Sequence, residues 1–141
     1  MGVTLYCKKT NASVDMTYAG FKRFRQLVSE RCGPLWAEHY EKLLTRPEDR
    51  PESDEELDAV TLEMIQKRKI PIKIVDFLLQ SDGEGGIHYG ACQLILRRLE
   101  HYEDDPLYGY AGWGGHATKL SDVLRLLYAC VNARSDLTWT G

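Results

Sequence analysis

Through YAGFKRFRQLVSERCG, the apolar residues Phe21, Phe24, Leu27, Val28 and Cys32 recur at three- and four-residue spacing. That rhythm places them on one face of a helix, with Lys22, Arg23, Arg25 and Arg31 mostly off the stripe as its wet side or as contacts for an acidic partner. Gly33 fits a C-terminal cap, and Pro34 suits the first turn of a second helix carrying Leu35, Trp36, Tyr40, Leu43 and Leu44. Upstream, VTLYCKK and SVDMTY are short β-branched and aromatic runs around the turn-like TNAS, which predicts a hairpin over about residues 3–17.

The pattern breaks at RPEDRPESD, so residues 46–53 read as a charged, proline-containing surface linker within one domain. Ser53 stands three residues before Glu56, a capping-box spacing, and opens a helix with Leu57, Val60, Met64 and Ile65 inward. Acids at its start and Lys67, Arg68 and Lys69 at its end match the helix dipole. Pro71 opens a further helix, PIKIVDFLLQ, expected to bury Ile74, Val75, Leu78 and Leu79. A fifth, IHYGACQLILRRLEHY, repeats Ala91, Cys92, Ile95, Leu96 and Leu99. Thr118 is placed to cap a last helix, KLSDVLRLLYACVNA, and the tail DLTWT suits an edge strand joining the hairpin. The prediction is an α+β, mainly α, single domain over 1–141, with about six helices around one core and a small antiparallel sheet.

A chain of 141 residues is about one domain and removes enough surface from water to hold a core without metals or disulfides. Its net charge of −3 argues against wrapping duplex nucleic acid. No apolar run is long enough to span a membrane, and the first residues carry no secretory pattern. A cytoplasmic location is therefore expected, where the sequon Asn11-Ala12-Ser13 has no meaning. Tyr6 stands where a myristoylation signal wants Ser or Thr. Cys7, Cys32, Cys92 and Cys130 are too widely spaced for a zinc ribbon or a C-x-x-C redox pair, and are expected as free thiols.

QSDGEGGIHYGA, residues 80–91, is the most motif-like string. Aligned as a calcium loop, it has Gln80 first, Asp82 third, Glu84 fifth and Gly85 sixth, but Ala91 where a bidentate Glu belongs. Two carboxylates are a poor cage for calcium, and a P-loop lacks its Gly-Lys-Ser/Thr end. The string reads as a bend between two helices, and neither a metal nor a cofactor is called for.

Three further features carry candidate chemistry. His88 and Cys92, four apart on one predicted helical face, form a possible nucleophilic or ligating pair, with His116 as a third weak catalytic candidate; the competing reading makes Cys92 an inert core thiol. The connection over 105–117 interleaves Gly109, Gly112, Gly114 and Gly115 with Tyr108, Tyr110, Trp113 and His116. Either these aromatics fold back over the core as a lid, or they bind a protein or a planar ligand. In the second case Arg97 or Arg98 is available to an anionic group; otherwise both are solvated or paired with Glu100 and Glu103.

The segments MGVTLYCKK…YAGFKRFRQ, FLLQSDGEGGIHYGACQLI and YGYAG…LSDVLRLLYACVNARSDLTW resemble small uncharacterised bacterial and phage or prophage proteins. The resemblance implies a small accessory protein, of a kind encoded on mobile elements, and transfers no catalytic residue. The expectation is a non-enzymatic binding protein, accessory, inhibitor or immunity-like, acting through a protein–protein surface. The alternatives are a small-ligand, nucleotide-type binder using loop 105–117, and a small Cys/His enzyme. The oligomeric state stays open.

Overall fold

A computed structural model describes residues 2–100, 106–110 and 117–141, the side chains of 106–110 and 117 excepted. Strand β1 (Gly2–Cys7) pairs antiparallel with β2 (Ser13–Thr17), which is the expected hairpin. Thr17 then caps α1 (Tyr18–Glu30), its hydroxyl accepting from the Gly20 N–H at 3.0 Å. Helix α1 closes at Arg31, earlier than the glycine signal suggested. Gly33 takes φ +102°, a conformation that favours glycine, and stands at the N-cap of α2 (Pro34–Leu44).

A 3-10 turn at Pro47–Asp49 fills the linker before α3 (Asp54–Gln66). There the Ser53 hydroxyl accepts from the Glu56 N–H, as the spacing predicts. Helix α4 (Ile72–Leu79) follows Pro71, and α5 (Tyr89–Leu99) follows His88. Between them Glu84–Ile87 is not only a bend: it is strand β3. Strand β4 (Pro106–Tyr110) pairs antiparallel with β5 (Ala117–Lys119), so the predicted loop contains a strand. Helix α6 (Leu120–Ala133) and β6 (Leu137–Thr140) complete the chain.

The main sheet runs β2-β1-β6-β3. The tail does join the hairpin, Leu5 facing Trp139, but as an interior strand, because β3 pairs along its other side. The glycines of EGGI hide that strand from propensity, yet Gly85 is required by packing: a Cβ there would lie 2.2 Å from Cζ2 of Trp139. The Gln80 side chain holds the approach to β3 through both backbone groups of Gly86, accepting from its N–H and donating to its carbonyl at 2.9 Å each.

Val3, Leu5 and Cys7 alternate inward and meet Leu137, Trp139, Phe21 and the inner faces of α5 and α6 in one core. Cys7, Cys92 and Cys130 are buried free thiols, and Cys32 is half-buried. Two expectations fail locally. Leu35, Leu44, Val60 and Leu79 are exposed, because α2, α3 and the end of α4 lie at the periphery, while Phe77 is core. Thr118 does not cap α6: its hydroxyl donates to the Asp15 carbonyl at 2.7 Å, and the Asp122 carboxylate takes the Lys119 N–H at 3.0 Å.

Candidate functional site

Arg25 lies four residues after Phe21 and three before Val28, inside the apolar stripe of α1. The helix carries its side chain into the core, where it is 4% exposed. The guanidinium carbon stands 4.3 Å from the Phe21 ring centre, 5.3 Å from Phe77 and 5.6 Å from Trp139. Those rings pack on one another with centroids 5.5–6.2 Å apart. Their faces offer the cation electrostatic stabilisation in place of water. Among the described residues only Nη1 has a polar partner, Oδ1 of Asp82 at 2.8 Å, while Nε and Nη2 are buried with none.

Arg25 and Asp82 border a cleft of about 380 Å³ between α1, α2 and α4. Leu43, Leu44, Leu78 and Leu79 supply apolar wall; Lys22, Tyr40 and Gln80 supply polar groups. Burial pushes the Arg25 pKa down, opposed by Tyr40 and Asp82, but an arginine remains cationic at neutral pH. Burial pushes the Tyr40 phenol up to about 12, so it stays a neutral hydroxyl able to donate. The cleft thus joins an apolar slot to a desolvated cation whose self-contact uses one tooth of a two-toothed fork.

The side chains of the calcium-like string have partners within the chain. Asp82 is committed to Arg25, Gln80 to Gly86 and Asp76, and the Ser81 carbonyl takes the Trp139 Nε1–H at 2.9 Å. Among the described residues no group of three or more His, Cys, Asp or Glu side chains is placed to hold a metal ion.

A larger hollow, about 490 Å³, lies between β2 and α6. Its carboxylates already serve the fold: Asp15 accepts from the Thr4 hydroxyl, and Asp122 caps α6. Size alone does not make it the better site.

The structure places the two weak candidates His88 and Cys92 apart, Cys92 as the core thiol of the competing reading. His88 has the extended backbone of an N-cap, so its ring turns back to accept the Gly90 N–H at Nδ1 and is exposed. Cys92 points into the core, where it and Cys7 neighbour the Cys130 thiol. The Cys92 contact, then burial, push the Cys130 thiol up, favouring its protonated form. Arg97 is on the exposed side of α5; Arg98 folds back to donate to the Leu94 carbonyl. Trp113 and His116 lie outside the described residues, as do the side chains of Tyr108 and Tyr110.

Sequence reasoning missed Arg25 by treating the basic residues of α1 as one wet face. The signal was its register, which differs from that of Lys22. The contribution of Asp82 was invisible, because 57 residues separate the partners.

No protein-family model, curated protein or solved structure matches the chain. No helix among the described residues is long and apolar enough to cross a membrane.

Proposed function

We propose that this chain is a non-enzymatic binding protein, accessory or inhibitor in kind, that engages a protein partner by receiving a carboxylate-tipped apolar segment in the Arg25 cleft. The observation that carries the reading is the buried guanidinium with two nitrogens unpartnered among the described residues, beside a leucine-walled slot. A buried cation is costly unless its hydrogen bonds are met, and a structural role alone is served as well by an apolar side chain. A partner carboxylate taking the place of Asp82 gains a bidentate contact, and the leucines supply apolar burial.

Calorimetric titration with acetylated peptides ending in leucine or phenylalanine tests the reading. The free-acid form binds, and the C-terminal amide binds at least about tenfold more weakly, the factor that about 1.4 kcal/mol represents. Arg25→Met abolishes binding while leaving stability within about 1.5 kcal/mol, since buried ions are often replaceable by apolar groups of similar volume. Equal binding of acid and amide, or by Arg25→Met, refutes the site. Octanoate and a nucleoside monophosphate as competitors separate a peptide end from a free acid or a nucleotide.

A further inference from the structure

Helix α3 is amphipathic, yet of its 13 residues only Leu57 and Thr61 are buried. Its own chain meets it chiefly through α2, where His39 Nε2 and the Thr61 hydroxyl are 2.8 Å apart. A helix of this length is marginal in water and takes most of its stability from burying an apolar face. Here that face is only partly covered: Val60 is 37% exposed, Met64 and Ile65 are half-buried, and Leu35 of α2 beside them is 62% exposed.

Two abutting hollows, about 270 and 200 Å³, share Leu35, Val60 and Met64, so together they form one apolar groove along the α2–α3 pair. Its ends differ in charge. Glu38 and Glu56 border one hollow, with Lys42 and Glu52 paired beside them. Lys67 and Lys69 border the other, with Glu63 paired to Lys67.

The geometry points to a second copy of this chain as the occupant, in a two-fold dimer with the α3 helices antiparallel. A two-fold interface requires a surface complementary to itself. Antiparallel α3 helices meet that requirement: Glu56 of each copy comes to the Lys67 end of the other. Leu35, Val60 and Met64 of both copies close over the axis. The order acid, apolar, base along one groove is what antiparallel self-pairing needs. The cleft at Arg25 is formed by other residues and stays open in this arrangement.

Sedimentation equilibrium of the full chain from micromolar to millimolar concentration tests the proposal. The expected result is a concentration-dependent mass approaching twice 16.1 kDa. Val60→Glu shifts the chain to monomer with its helical circular dichroism intact, whereas Leu62→Glu, on the same helix but outside the groove, leaves the dimer. Glu56→Lys alone weakens association, and adding Lys67→Glu restores it, because the reversed charges again meet across the axis. A monomer throughout the range overturns the proposal. So does a dimer of equal affinity in Val60→Glu, or a charge-reversed double variant no tighter than Glu56→Lys.

Discussion

Helices α1 and α3 are both 13 residues long, capped by Thr17 and Ser53 in the same manner. Helix α1 buries seven residues against the sheet and neighbouring helices; α3 buries two, against α2. Local chemistry therefore builds both equally well, and what separates them is the number of neighbours their apolar faces find. Helix α1 with the sheet is where the fold is held together. The α2–α3 pair is where apolar surface stays outside: among the described residues, four of the eight large exposed hydrophobic side chains lie on α2 and α3, and two more at the ends of α4. The difference separates groups needed for folding from groups free to serve recognition.

The contrast is sharpest at Trp139, which contacts Phe21 and Phe77 and donates to the Ser81 carbonyl. Trp139→Ala is expected to cost about 3–5 kcal/mol in urea unfolding. Gly85→Ala, which drives a methyl into that indole, costs about 1–3 kcal/mol, measured the same way. A loss below about half a kilocalorie at either position, the range of a surface change, would remove the distinction between the regions.

The junction between the regions is expected to respond to pH. Burial first, then Lys42, depress His39 below its ordinary 6.5, while Glu52 opposes them. A histidine that resists protonation when folded contributes stability that is complete above 6.5 and lost as pH falls through its folded value. Urea midpoints should fall between about pH 7.5 and about pH 5, with His39→Gln showing a smaller drop; parallel curves would show that the α2–α3 contact does not depend on the neutral ring. The smallest effect is predicted at Leu35→Ser: within about 0.5 kcal/mol for the monomer in the same unfolding measurement.

Several elements were legible from pattern alone, since period and capping chemistry are local: the hairpin, the helical stripes of α1, α5 and α6, and the Ser53 cap. Strand β3 was not, because EGGI has no strand signature and is held by β6 from the other end of the chain. The candidate site was half legible. Arg25 stands in the same register as Phe21 and Val28, which its neighbour Lys22 does not share, whereas Asp82 resembled a calcium ligand until folding set it against a guanidinium.

By itself, then, the amino-acid order determined the helices, the hairpin and the mainly helical class, because each follows from contacts within a few residues. Only the tertiary structure decided that the tail is an interior strand, that His88 and Cys92 part company, and that one arginine among several lies in an aromatic core. Those outcomes depend on partners tens of residues apart, and burial, which sets the cost of a charge or the value of a leucine, exists only once they have met.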